Sequence, residues 1–328
     1  MNITKRKNHY QVREMKNGKI YTYTFDYKPT KSEAQMKMAE LEAKSFTTKK
    51  SILNAMNEYV SSKENILSPT TINLYYKTIR KLEREYKNFA EKDINKITQI
   101  ELQTLVNDLT KKNKPKTIKN IYGLIRSAID MFGGYNFKIT LPQKIDNEPY
   151  IPTDAEVSLL LKESENTRYY IPIRLALYSL RLSEILALTI DDVYDNFIYV
   201  NKAKVESAYG MVIKTTKTKG STRKVFVDKE LIDLIREQGY IYKGNNKAIT
   251  EFIVNFCKKN NIQRFTLHKL RHYFATSLHF ANVPRKAIEK LGGWSGSSPV
   301  LDRIYTHAKN DYDYQNKVQI VMSKLKRP

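Results

Sequence analysis

Residues 139–153, ITLPQKIDNEPYIPT, constrain the fold most, because they carry Pro142, Pro149 and Pro152 and have little periodicity. Each proline lacks an N–H, and each disfavours helix in the residue before it. Neither a helix nor a central strand runs through such a stretch. A domain boundary is therefore expected between about 136 and 150, with separate cores on either side.

Upstream of that boundary, residues 47–134 read as helix. Ile52, Met56 and Val60 recur at spacing four in TTKKSILNAMNEYVSSK, one apolar stripe. Ser68 followed by Pro69 opens a second helix. Thr98 and Glu101 form a capping-box pattern before a third. KPKTIKNIYGLIRSAIDMF gives a fourth, stopped at Gly133-Gly134. Lys77, Arg80, Lys81, Lys116 and Lys119 put basic faces on this bundle. Before it, HYQVREM and IYTYTFDY alternate around Asn17-Gly18 as two strands of a hairpin. Thr30 then opens a helix with Ser32 and Glu33 in its first turn.

Downstream the pattern is mixed. Thr153 and Glu156 form a capping box for a helix reaching about Lys162. RYYIPIRLALYS is a strongly apolar helix that leads into LRLSEILALTIDDV. FIYVNKAK, GMVIKTT and RKVFV read as three strands, with KTKGS as the turn between the last two. Asp228 caps the next helix. The fold class expected is mainly α with small β elements, an α+β chain.

The chain has 57 Lys+Arg against 34 Asp+Glu in 328 residues, a net charge of +23. So basic a chain points to a polyanionic partner, nucleic acid first. Cys257 is the only cysteine, which excludes an intrachain disulfide framework and a cysteine-ligated zinc. It flanks Phe256 and is expected to be buried and inert. No stretch approaches eighteen apolar residues, and MNITKRKNHY has no apolar core of a signal peptide. A protein of the reducing cytoplasm with no membrane partner is expected.

Four places could carry chemistry. Arg181 stands among apolar neighbours that should bury it, so it needs an anion. Glu184, three residues on, is one candidate, and a bound phosphate is the other. His268 and Arg271 share a helix face, with Thr266 as the expected N-cap, where anions are favoured. His268 and His272 stand four apart, but Lys269 occupies the place of a zinc peptidase glutamate, so no metal site is expected. Tyr305 has Arg303 and His307 close in sequence. A phenol is only about 0.1% ionised at pH 7, so a nucleophilic tyrosine needs surrounding cations or a base.

The ordered set LRLSE, a lysine on a β-turn before RKVFV, HKLRH, LGGW and IYTH resembles the tyrosine recombinase, or phage integrase, family. The layout before it looks like the integrases of Gram-positive phages and conjugative transposons. The resemblance implies an arm-binding sheet at 1–46, a helical, SAM-like core-binding domain at 47–138 and a catalytic domain at 150–328. It implies that Arg181 and Arg271 clamp the scissile phosphate, with Glu184 supporting Arg181. His268 shares in proton handling. Lys217 protonates the departing 5′-oxygen. Trp294 donates its indole N–H to a phosphate oxygen, and Tyr305 attacks phosphorus. Lys77, Arg80, Lys116, Lys119, Lys219 and Arg223 are expected to face DNA.

The hairpin carries three lysines, Lys214, Lys217 and Lys219, of which KTKGSTRKV aligns best with Lys217 as the catalytic one, and the sequence departs from the family at two further points. Ser179 stands where glycine is usual, and the Trp294-to-Tyr305 separation is longer than the commoner spacing. The activity implied is site-specific recombination that integrates or excises a mobile element in a bacterial cell, with no cofactor. The implied partners are double-stranded DNA carrying attachment sites, further copies in a homotetramer, and an excisionase or host DNA-bending protein. A relaxing enzyme of the type IB topoisomerase kind, or a DNA-binding protein without cleavage, are the alternatives. The apolar stripe Val318, Ile320, Val321 and Leu325 is expected to dock on a neighbouring copy or on its own domain.

Overall fold

The structure is a computed structural model, and it describes residues 1–16, 19–45, 50–133, 136–143, 150–215, 221–294 and 301–302. Two compact units divide it, Met1–Asn147 with Glu206–Gly210, and Glu148–Val205 with Met211–Pro328.

The first unit begins with strands β1 (Asn2–Arg6), β2 (His9–Lys16) and β3 (Lys19–Phe25), in antiparallel order β1-β2-β3. The sequence pattern delimits only two of them. All five residues of β1 are exposed, so it has no apolar alternation to read. The Asn17-Gly18 turn lies outside the described residues. Helix α1 (Lys31–Ser45) starts where the Glu33 carboxylate accepts from the Thr30 N–H at 2.7 Å. Its Ala34 and Met38 pack on Val12, Tyr21 and Phe25. The pairings Gln11↔Thr24 and Arg13↔Thr22 lie on the opposite, exposed side of this small sheet, together with Asn2 and Thr4.

A helical bundle follows: α2 (Ile52–Ser61), α3 (Pro69–Glu85), α4 (Lys87–Ala90), α5 (Gln99–Thr110) and α6 (Pro115–Phe132). Ser51 and Ser68 accept from Asn54 and Thr71 backbone N–H groups, and Thr98 with Glu101 forms a full capping box. Each such cap is worth about 1 kcal/mol. Ile52, Met56 and Val60 are buried together with Leu82, Leu109 and Ile125. Short α4 is an addition to the four helices read from the sequence. It arises because Tyr86, at φ −136°, breaks the helical path before Lys87.

The second unit packs α7 (Asp154–Ser164), α8 (Tyr170–Leu177), α9 (Leu182–Ile185), α10 (Lys229–Gln238), α11 (Asn246–Lys259) and α12 (Leu267–Phe280) around one core, while α13 (Arg285–Gly292) seats Ile288 on Ala275 and Leu301 in a smaller cluster. Leu160, Leu175, Ile198, Leu231, Ile253 and Leu270 are its fully buried members from six elements. Cys257 is buried there, as its apolar setting implies. The strand expected over FIYVNKAK is two strands. β4 (Phe197–Val200) pairs with β7 (Arg223–Phe226), while β5 (Lys202–Ser207) pairs with β6 (Gly210–Thr215). Ile198 and Val200 hold β4 on the core, and polar Asn201, a poor strand residue, interrupts it before β5.

Between α8 and α9 the chain turns through Ser179, which is fully buried with φ 69°. That left-handed conformation favours glycine and strains other residues. Ser179→Gly is expected to raise stability by about 0.5–1 kcal/mol, since the relieved strain exceeds the entropy of a freer unfolded chain. A higher denaturant midpoint at unchanged m-value is the expected reading; a lower midpoint contradicts the strain argument.

Candidate active site

The site is built around the turn at Ser179. Arg181 is the N-cap of α9, and Glu184 reaches back to it from the third helical position. The Glu184 carboxylate accepts from the Arg181 backbone N–H at 2.9 Å and from Arg181 Nη1 at 2.6 Å. Arg181 was expected to be buried. Its side chain instead stays 33% exposed, because Leu180 and Ile185 fill the core on either side of the cap. Arg181 Nη2 donates to the Gly293 carbonyl at 2.9 Å.

Arg223 also requires correction. Expected on a DNA-facing surface, it is buried at the start of β7. Its Nη2 lies 3.1 Å from Glu184 Oε2, and its Nη1 lies 3.3 Å from Oε1. Strand alternation is the reason: Arg223 and Val225 face inward while Lys224 and Phe226 face out. Glu184 thus holds two guanidiniums while itself nearly inaccessible. Burial alone would raise its carboxyl pKa. The charge and hydrogen bonds of Arg223, then the N–H and charge of Arg181, hold it below the usual range instead.

Among the described residues, Arg271 is the largest fully buried side chain, at 1% exposure. It extends from α12 toward the turn, where Nη1 donates to the Ser179 carbonyl. That carbonyl also accepts from Arg223 Nη2 at 3.1 Å. The Trp294 ring covers the guanidinium of Arg271, 3.9 Å from its central carbon. Among the described residues, Nε and Nη2 of Arg271 have no hydrogen-bond acceptor. Desolvation, then the charges of Arg181 and Arg223, push this guanidinium down to about 8, with Glu184 opposing. A guanidinium in a protein keeps its proton. Burial among like charges thus leaves a cation whose Nε and Nη2 could accept an anion's oxygens as partners.

The glycines of LGGW have separate tasks. A Cβ on Gly292 would come within 1.8 Å of the Trp294 ring. Gly293, at φ 64°, makes the left-handed cap that ends α13 and turns its carbonyl to Arg181. Trp294 is thereby seated on Arg271.

His268 lies one turn before Arg271 on α12 and keeps an exposed face. Partial desolvation, then the charges of Arg271, Arg181 and Lys269, hold its imidazole below the ordinary histidine range. It is therefore a proton acceptor at neutral pH. His272 is buried, and desolvation, then Lys269, His268 and Arg271, push it down to about 3. No group of three or more His, Cys, Asp or Glu that could hold a metal occurs among the described residues.

The structure thus brings Arg181, Glu184, Arg271, His268 and Trp294 together. Lys217, Lys219 and Tyr305 lie outside the described residues, as does the 318–325 stripe. Lys77, Arg80, Lys116 and Lys119 are exposed on α3 and α6. Lys77 is engaged with Glu206, 2.9 Å away in the same unit. The sequence reading missed the Ser179 carbonyl as a shared acceptor. The serine at a glycine position was the available signal, since a residue there has to adopt positive φ.

Comparison with known proteins bears on family and fold. The family described as "Phage integrase family" matches residues 153–311. The integrase of Staphylococcus phage L54a is 24% identical over 307 residues, covering 74% of this chain and 86% of that protein. A tyrosine recombinase XerC-like protein of Caldanaerobacter subterraneus is 24% identical over 291 residues, covering 70% and 74%. Among solved structures, the Tn1549 transposon integrase in complex with transposon right end DNA superposes with a TM-score of 0.65 at 18% identity, over 84% of this chain and 100% of that one. A lambda integrase tetramer bound to a Holliday junction gives 0.60 at 15% identity, over 90% and 92%. Among the described residues, no helix is long and apolar enough to cross a membrane.

Proposed function

We propose that this chain, whose residues 153–311 match the phage integrase family, is a tyrosine recombinase that carries out the following reaction. Tyr305 attacks a phosphodiester, and a P–O bond forms to its phenolic oxygen as the bond to the 5′-oxygen breaks. His268 takes the phenol proton, and Lys217 supplies a proton to the leaving 5′-oxygen. Arg181 and Arg271 hold the non-bridging oxygens as negative charge develops, and the Trp294 indole N–H adds a further donor. The 3′-phosphotyrosyl link conserves the energy of the diester. A 5′-hydroxyl from a partner duplex then displaces Tyr305, which completes strand transfer.

One observation carries this reading. A fully buried Arg271 has Nε and Nη2 without an acceptor among the described residues, beside Arg181 and a neutral His268. A single phosphodiester supplies the missing oxygens. Two duplexes exchanged through four sites imply a homotetramer on DNA. The exposed face of the N-terminal sheet, with Asn2, Thr4, Gln11, Arg13, Thr22 and Thr24, supports its role as an arm-type DNA-binding module. An excisionase or host DNA-bending protein is a further proposed partner, and a bacterial cell is the proposed setting.

The test is a duplex carrying the recombination site and nicked a few bases beyond the cut, so that the short fragment bearing the freed 5′-hydroxyl diffuses away after cleavage. Wild-type protein is expected to accumulate a covalent adduct linked through a 3′-phosphate. Mapping such adducts on host DNA identifies the target as well as the nucleophile. Binding is expected to weaken steeply with salt, with a log–log slope of about −0.9 for each phosphate contact. A flat salt response contradicts Arg80, Lys116 and Lys119 as DNA grips.

A further inference from the structure

We propose that Arg223 is a positioning residue for the phosphate cage: it fixes Glu184 and the Ser179 carbonyl, and through them sets both Arg181 and Arg271. The inference rests on the recombinase reading above and goes beyond the cage residues named there.

The geometry is that of a hub. The Arg223 guanidinium reaches both oxygens of Glu184, at 3.3 and 3.1 Å, the Ser179 carbonyl at 3.1 Å and the Ser221 carbonyl at 3.3 Å. Each of the first two acceptors serves a second arginine. Glu184 also receives Arg181, and the Ser179 carbonyl also receives Arg271. The Arg223 side chain is only 6% exposed, and its guanidinium is engaged by protein acceptors.

Charge gives the hub its purpose. One buried carboxylate beside one arginine forms a closed pair, and that arginine has little attraction left for a phosphate. A second guanidinium on the same carboxylate leaves net positive charge around it, so Arg181 stays available. A buried ion pair of this kind is weak evidence for a stability role, since apolar replacements of such pairs are often neutral or stabilising. Preorganisation of neighbouring groups is the function that remains. The Ser179 turn strengthens the point, because a strained backbone carbonyl is held between two arginines that pull on it together.

The experiment measures single-turnover adduct formation by full-length protein on the nicked duplex, with DNA affinity measured in parallel. Arg223→Met is expected to bind DNA like wild type and to react about 100-fold more slowly, and Arg223→Lys about 10-fold more slowly, the range found for partners that orient a reacting group. The lysine keeps the charge but cannot span four acceptors. Adding Glu184→Gln to Arg223→Met is expected to recover about 10-fold of the rate, because it removes the charge that captures Arg181. A merely structural role would not produce that recovery. Should the methionine variant fail to fold, the lysine variant alone decides.

Wild-type rates in these variants overturn the proposal. So does a rate loss matched by an equal loss of DNA binding, or an absence of recovery in the double variant. If wild-type protein itself forms no Tyr305-dependent adduct, the recombinase reading fails first, and the two failures are thereby distinguished.

Discussion

A Tyr305→Phe protein is expected to bind its duplex with unchanged affinity and to yield no covalent protein–DNA product. The change removes one oxygen and little else, so folding and the basic DNA grips are untouched. The missing oxygen is the only atom of that side chain able to bond to phosphorus. The parent phenol faces a steep requirement, since about one molecule in a thousand is ionised at neutral pH. In the proposed reaction Arg181 and Arg271 supply the field, and the imidazole of His268, held below the ordinary histidine range, supplies the base that this requirement sets. Denaturing electrophoresis of a reaction on the nicked duplex reads the outcome directly. An adduct formed by the phenylalanine variant would assign the nucleophile to another residue.

Arg271→Lys is expected to slow adduct formation by about 10²–10³-fold, the usual effect of losing one preorganised donor to a developing oxyanion. Arg271 does three things at once. It donates to the Ser179 carbonyl, lies under the Trp294 ring, and keeps Nε and Nη2 available at their buried position. An ammonium has no plane to stack and no fork to offer two phosphate oxygens. DNA affinity is expected to change little, because one phosphate contact among several contributes a small share. Stopped single-turnover reactions at saturating DNA separate the two effects. A variant that loses affinity and keeps its rate would make Arg271 a binding residue only.

Much of the second unit was legible because helical motifs carry their own punctuation. Thr153 with Glu156 and Asp228 announced their helices, and the i, i+3 spacing of His268 and Arg271 placed both on one face. The family resemblance supplied what spacing alone could not, namely which arginines meet. Two kinds of information stayed hidden. Backbone groups have no letter in the sequence, so the Ser179 carbonyl was invisible as the acceptor that joins Arg223 to Arg271. Strand facing was the other. RKVFV puts one charge and at least one hydrophobe on each face, Arg223 with Val225 and Lys224 with Phe226, so either set could point inward, and only the packing of Val225 on the core sends Arg223 inside. β1 was overlooked for the opposite reason, since a fully exposed edge strand has no pattern at all.

Position 271 has one more consequence. A chain tuned for folding free energy alone would place leucine or methionine there, against the indole of Trp294 and beside the buried turn. The native residue instead is a desolvated cation whose Nε and Nη2 have no acceptor among the described residues. Catalytic competence and thermal robustness therefore pull in opposite directions at this one side chain. In the proposed reaction the substrate phosphate completes the arginine's hydrogen bonds, so the DNA-bound protein is expected to resist denaturation better than the free one, and engagement of DNA to be coupled to tightening of this domain.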